Sequence, residues 1–278
     1  MKMILMSGGC KTSDTNPFRY CAEYYDSETG LIYLRNRYYD STLGRFISED
    51  PARDGTNWYV YCENNPVGFI DPLGLELTLS GTDAEKAWLL DNVKKLTGDI
   101  LQYKILPDQR WQVEYVKGAN SDKYPVGTNV IRRIVNNQYN CNIVVDNNKK
   151  FSAVEPYDEY NSYQKGKGTG STVFINAKNK YKVLTTNDMQ IMETYIVIGH
   201  ELIHVLRNMH GNRKSNELRG FINKLEYYQE ELEVSGIDYY QLNGKYIKAS
   251  SWQTSENSLR TEHKLPWRLK YETTVIKY

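Results

Sequence analysis

Apolar positions along this chain recur at two different periods, and the changes between them outline its elements. Thr82 followed by Glu85, with Trp88, Leu89, Val93 and Leu96 on one side and Gly98 after them, predicts a helix opened by a capping box. Short apolar runs at 111–116, 142–145 and 171–175, separated by polar loops, predict strands. From about Asn187 to His210 the spacing returns to that of a helix, and Phe221, Ile222, Leu225, Tyr228 and Leu232 predict another over 221–234. This part of the chain is expected to be an α+β domain built around one central helix and a small mixed sheet.

Residues 16–75 read differently, being dense in Tyr, Arg, Asn and Gly. Tyr24-Tyr25-Asp26-Ser27 with Gly30 is echoed by Tyr38-Tyr39-Asp40-Ser41 with Gly44, a period of 14 residues (38 minus 24). Aromatic residues suit a strand, Asp bonds its own backbone, and Gly supplies a positive φ, so the echo predicts repeated hairpins. Such units are stable when stacked on many neighbours, so this piece reads as the end of something larger.

Composition narrows the field. With 278 residues the chain has room for two modest domains, and its formal net charge of +1 gives no footprint for nucleic acid or an anionic membrane. Four scattered cysteines (Cys10, Cys21, Cys62, Cys141) fit neither a disulfide framework nor a cysteine zinc knuckle. The N-terminal apolar run is too short for a signal-peptide core and no later stretch suits a bilayer, so export is expected to follow a non-classical route or delivery into a target cell. Lys165–Gly170 lacks phosphate-loop spacing and precedes a strand, so it is expected to be a flexible loop.

The chemistry is concentrated in Gly199-His200-Glu201-Leu202-Ile203-His204, and three of the four histidines (His200, His204, His210) fall in this stretch. Residues four apart share a helix face, so His200 and His204 can direct imidazole nitrogens to one ion, with Zn2+ the expected metal. Glu201 lies to the side of the pair, where it can take a proton from an activated water without being a ligand. A third protein ligand is required. His210 stands six residues after His204, but Arg207 occupies the place where that spacing needs a glycine turn. On a continuous helix His210 would be rotated by about 120° and displaced by roughly 9 Å. A glutamate on the following helix is favoured instead, Glu231 ahead of Glu230, the other being a solvated helix residue.

Two family resemblances enter on these residues. Asn16-Pro-Phe-Arg-Tyr20, Thr29-Gly-Leu31, Tyr33-Leu-Arg35, Arg37-Tyr-Tyr-Asp40, Gly44-Arg-Phe-Ile-Ser48, Asp50-Pro51, Asn64-Asn-Pro66 and Asp71-Pro-Leu-Gly-Leu75 resemble the Rhs repeat-associated core. That resemblance implies a core fragment over 1–75, a toxin domain over 76–278, and self-cleavage relying on Asp50 and Asp71; the plainer reading makes both aspartates turn residues before prolines.

His200-Glu-Leu-Ile-His204, Glu230-Glu-Leu with Gly236, Glu256-Asn-Ser-Leu-Arg260, Glu262, Leu265-Pro266 and Arg268-x-x-Tyr271 resemble the NleD-like effector metallopeptidases. This implies a zincin-like metallopeptidase toxin that cuts a target-cell protein, with Arg268 and Tyr271 facing the metal as oxyanion holders, and Arg268 alternatively a salt-bridging residue. Strand 171–175 is expected to be the edge that receives an extended substrate, and Asn142, Glu256 and Asn257 are expected to orient ligands. A cognate immunity protein would be a partner if the target is a bacterium. A cell-wall amidase or a non-catalytic delivery module are the competing functions.

Overall fold

The computed structural model describes residues 24–34, 37–48, 59, 77–116, 122–137, 139–215, 217–222 and 225–277, with side chains followed to residue 270. The chain divides into two compact units, Met1–Gly74 and Leu75–Tyr278.

The described part of the first unit is an antiparallel meander of β1 (Tyr24–Asp26), β2 (Leu31–Leu34), β3 (Arg37–Asp40) and β4 (Arg45–Phe46). Its turns follow the 14-residue echo in the sequence. The Asp26 carboxylate accepts from Glu28 N and Thr29 Oγ1, that of Asp40 from Thr42 N and Leu43 N, and each turn closes on a glycine, Gly30 at φ +74° and Gly44 at φ +68°. Ile32, Tyr39 and Phe46 form a small core. Asp50 and Asp71 lie outside the described residues.

The second unit has mixed α and β structure. Its main sheet has the order β6-β7-β5-β8-β10-β9, formed by β5 (Leu77–Ser80), β6 (Leu101–Ile105), β7 (Trp111–Tyr115), β8 (Cys141–Val145), β9 (Ala153–Pro156) and β10 (Ser171–Ile175). The central strands β5, β8 and β10 run parallel, and β7 and β9 join antiparallel on either side. Leu77, Leu79, Ile143, Val173 and Ile175 share one face of these strands and are buried, while Asn142, Val144, Thr172 and Phe174 on the other face are half-buried. The buried side chains share one core with α1 (Asp83–Leu96), α2 (Pro125–Val135) and α4 (Thr194–Met209). Thr82 and Glu85 close the expected capping box on α1. The start of α2 is capped from 135 residues away, where Glu262 accepts from Val126 N and Gly127 N at 2.6 and 2.9 Å.

Two smaller sheets complete the unit. One joins β12 (Asp188–Ile191), β11 (Asn179–Thr185) and β17 (Arg268–Lys277); the other joins β14 (Leu225–Tyr228), β13 (Arg219–Ile222), β15 (Tyr239–Gln241) and β16 (Tyr246–Ile247). Short helices α3 (Glu159–Ser162), α5 (Gln229–Ser235) and α6 (Glu256–Glu262) lie between these elements.

The structure corrects several sequence expectations. The helix expected from 187 begins only at Thr194, because Asp188 takes φ +77° and turns β11 into β12. The helix expected over 221–234 is confined to 229–235; before it, β13 and β14 pair as a hairpin whose Ile222 and Tyr227 pack on Leu232, Ile237 and Tyr239. The spacing of Phe221, Ile222, Leu225 and Tyr228 suits one helical face, and it is the pairing of β13 with β14 that makes them strands. Strand β10 is internal, paired by β8 and β9, and the edge on that side is β9. The 165–170 segment is a loop tied to the end of α4, with Gly166 N donating to His210 O and Thr169 N to Asn208 O.

Candidate metal centre

Helix α4 is buried almost all round, from Ile196 to Leu206, which is the environment of an interior helix. Gly199 permits this: a Cβ added there would lie 2.6 Å from Leu259 Cδ1 and 3.0 Å from Leu96 Cδ2, so α4 approaches both α1 and α6 closely at the residue before His200. One turn apart on the same face, His200 and His204 present their rings edge to face, with centroids 5.0 Å apart.

Three atoms converge on one point. His200 Nε2 and His204 Nε2 are 3.2 Å apart, and Glu231 Oε2 of α5 is 3.3 Å from each. Donors bound tetrahedrally to zinc at about 2.0–2.1 Å sit about 3.3–3.4 Å from one another, so this triangle has the dimensions of one face of a zinc site.

The outer nitrogens fix the tautomers. His200 Nδ1 donates to Glu256 Oε2 at 3.0 Å, and His204 Nδ1 donates to Glu230 Oε1 at 3.0 Å. Glu256 is fully buried and also receives Arg260 Nε at 2.7 Å and Arg268 Nη1 at 2.8 Å. Burial alone would raise its pKa, but the Arg268 charge, the His200 bond and Arg260 hold it well below the usual carboxylate range. With both Nδ1 atoms protonated outward, each Nε2 turns a lone pair inward beside the Glu231 carboxylate. Three convergent acceptors require a cation, which is a proton or a metal. In the metal-free protein protons fill that role: burial alone would lower the His204 pKa, but the Glu231 charge and the bonds to Glu230 and Glu231 raise it to about 10. The donor set of two imidazoles and one carboxylate fits zinc and leaves a fourth position free.

Glu201 is buried beside the pair, and loss of solvation pushes its carboxyl pKa up against the pull of the two histidines. Glu230 is not the solvated helix residue expected for the glutamate outside the ligand set: it is 4% exposed and holds His204. Both glutamates lie in the first turn of α5. Arg268 is brought to the site through Glu256, and Asn257 holds the Arg268 backbone from both sides, accepting from its N–H and donating to its C=O. Tyr271 follows on β17. Asn142 stays in the main sheet, accepting from Thr78 and Ser80. His210 caps α4 instead of approaching the triangle: its Nδ1 donates to Leu206 O at 2.6 Å, and its Nε2 lies 3.0 Å from Arg133 Nη2. Sequence spacing offered no sign that Arg207 and Glu233 join the buried ionic surroundings, because they are 26 residues apart and Glu233 belongs to a helix whose extent was misjudged; Arg260 lies four residues from Glu256 on α6, a spacing that permits their bond.

A family model described as effector protein, Peptidase M91, matches residues 119–271, more than half of the chain and all of α4, α5 and α6. The chain belongs to the Peptidase M91 effector family. Curated relatives of this Peptidase M91 chain match shorter stretches. It is 50% identical over 60 residues to the putative uncharacterized protein YlbH of Escherichia coli, covering 21% of this chain and 25% of that protein. It is 48% identical over 61 residues to double-stranded DNA deaminase toxin A of Burkholderia cenocepacia, covering 21% of this chain and 4% of the toxin. It is 43% identical over 65 residues to toxin protein Tse5 of Pseudomonas aeruginosa, covering 23% and 5% respectively. The match thus spans a quarter or less of each of these relatives. Among solved structures, the light chain of Clostridium botulinum neurotoxin serotype F aligns with a TM-score of 0.38 and 11% identity, over 70% of this chain and 66% of that one.

Proposed function

We propose that this effector is a polymorphic toxin whose second unit is a zinc endopeptidase, with His200, His204 and Glu231 as metal ligands. The observation that carries the reading is the triangle of donor atoms at 3.2, 3.3 and 3.3 Å, with both outward nitrogens already held by carboxylates. A bound zinc ion supplies Lewis-acid activation of a water and of the scissile carbonyl. Glu201 takes the proton from the attacking water and returns it to the leaving amine, a task suited to a carboxyl whose pKa burial has raised. Tyr271 and Arg268 are the candidates for holding the developing oxyanion. Of these two, Arg268 already has one guanidinium nitrogen on Glu256, so its nearer task is to keep that carboxylate ionised under His200. The exposed edge β9 is the strand on which an extended target protein would add itself.

Residues 1–75 are assigned to the end of an Rhs core, with self-cleavage after Leu75 that relies on Asp50 and Asp71 as its proposed activity, and 76–278 to an NleD-like toxin. The short stretches shared with proteins named as a DNA deaminase toxin and a tRNA nuclease are consistent with a common carrier segment bearing different activities. Delivery into a target cell and a cognate immunity protein belong to the same proposal.

Zinc content and peptide hydrolysis of the wild type, Glu201→Gln, Glu231→Ala and Glu230→Ala test it. One zinc per chain is expected in the wild type and in Glu201→Gln, with hydrolysis abolished in Glu201→Gln and zinc lost in Glu231→Ala. Full hydrolysis by Glu201→Gln, or a wild type that takes up no zinc, would exclude this mechanism.

A further inference from the structure

The ligands come from two elements that share one core, to which α5 contributes Val234. The histidines lie on the 16-residue α4, and Glu231 on α5, a helix of seven residues at the end of the β13–β14 hairpin. A seven-residue helix is too short to hold itself in place. Besides Val234 and the His204–Glu230 bond, it is joined to α4 by Arg207, one turn beyond His204.

The Arg207 Nε donates to both oxygens of Glu230, at 3.0 and 2.9 Å, and its Nη2 donates to Glu233 Oε2 at 2.6 Å. The two glutamates lie three apart on α5, on either side of the turn that presents Glu231. Each has a further partner: Glu230 Oε1 accepts from His204 Nδ1 and its Oε2 from Lys214 N, while Glu233 Oε1 accepts from the Tyr239 hydroxyl at 2.7 Å. Both carboxylates are 4% exposed, and the guanidinium carbon lies 5.9 Å from the Trp252 ring centroid. A planar fork reaching two carboxylates in fixed directions is a property of arginine that lysine does not share.

We infer that Arg207 is a positioning residue that sets the spacing between α4 and α5, and so preforms the triangle of His200, His204 and Glu231 before any metal arrives. The inference rests on the metal-centre reading above. Arg207 touches no donor atom; it acts through Glu230 on the His204 ring and through Glu230 and Glu233 on the helix that carries Glu231. Its replacement therefore loosens the triangle, with the ligands themselves retained.

Zinc affinity by competition with a chromophoric chelator, the visible spectrum of the Co2+-substituted protein, and unfolding of the metal-free protein test this on the full chain. The variants are Arg207→Lys, Arg207→Met and Glu233→Gln, with Arg132→Lys as the control. Arg132 makes a comparable fork on buried Asp99, at 2.6 Å for both bonds, and touches none of these residues. The expected result is a loss of about 10- to 100-fold in zinc affinity for both Arg207 variants, the range typical of groups that orient a metal ligand. The Co2+ bands should shift in Arg207→Lys and remain those of the wild type in Arg132→Lys, even where that control lowers stability. Wild-type zinc affinity and Co2+ spectrum in Arg207→Lys would overturn the clamp while the metal centre stands. Should neither Arg207 variant fold, Glu233→Gln is read the same way: weakened zinc supports the clamp and unchanged zinc overturns it. A wild type without zinc would remove the metal centre and the clamp together, an outcome told apart by the wild-type stoichiometry alone.

Discussion

At the scale of single residues, the site is governed by proton bookkeeping around three acceptors. His204 in the metal-free protein has its pKa raised from 6.5 to about 10. A group whose pKa is higher in the folded state contributes its stability in full below the unfolded value and loses it as pH rises through the folded value. The metal-free protein is therefore expected to lose this contribution between pH 6.5 and 10, while zinc affinity climbs over the same window because the metal must displace a bound proton. Chelator competition across that range is the check, and a flat affinity would mean that the imidazoles carry no inward proton. Much at this scale was legible in the sequence. The placement of His200, Glu201 and His204 on one face and side of a helix follows from their spacing, and Arg207, standing where a turn needs glycine, argued against His210 and for a glutamate, with Glu231 and Glu230 both remaining candidates. The task of Glu230 was not legible, because a carboxylate on a helix face looks the same in sequence whether it meets water or a histidine.

At the scale of elements, the closeness of helices around α4 matters most. An added Cβ at Gly199 would lie 2.6 Å from Leu259 Cδ1, so Gly199→Ala must displace that side chain, and with it α6 where the leucine has no room to repack. The expected loss is about 1–3 kcal/mol, as for other overpacked interiors, with zinc affinity falling as α6 carries Glu256 away from His200. Denaturant unfolding of the two proteins measures it, and a stability unchanged by the alanine would mean that the leucines give way freely. Elements with strong end signals were legible: the capping box of α1, the glycine-closed turns of the meander and strand Ser171–Ile175 all lie where the pattern put them. Those that failed were short strands of local hairpins whose apolar spacing also fits a helix. The apolar positions of 221–228 satisfy a helical spacing as well as a strand one, and the pairing of β13 with β14 and with β15 decides between them. The interior position of β10 depends on β9, whose four residues, Ala-Val-Glu-Pro, are too few to register as a strand in the sequence.

At the scale of the whole molecule, the proposed metal joins elements that the sheets alone do not tie together. A ligand bound only by the folded state stabilises it by about 4 kcal/mol when its free concentration exceeds Kd by about 1,000-fold. A domain of roughly 150–250 residues shifts by about 2–4 °C per kcal/mol, so chelation is expected to lower the unfolding temperature on the order of 10 °C, reversed by added zinc. Calorimetry with and without chelator decides it, and coincident transitions would show that the triangle binds nothing of consequence. The division near residue 75 was legible from the change in composition, since the Tyr-rich hairpins and the mixed α and β unit use different alphabets.

The order of residues along the chain has one further consequence. Both histidines are in place by residue 204, yet the carboxylate behind His200 comes from Glu256, the cap that completes α2 from Glu262, and the arginine that keeps Glu256 charged from position 268. A chain emerging from the ribosome thus carries its signature helix for some sixty residues (268 minus 204) before the parts that orient and charge it have been made. Until residue 268 has been made, the proposed metal centre stays incomplete, because His200 lacks the Glu256 carboxylate and Glu256 lacks the Arg268 guanidinium.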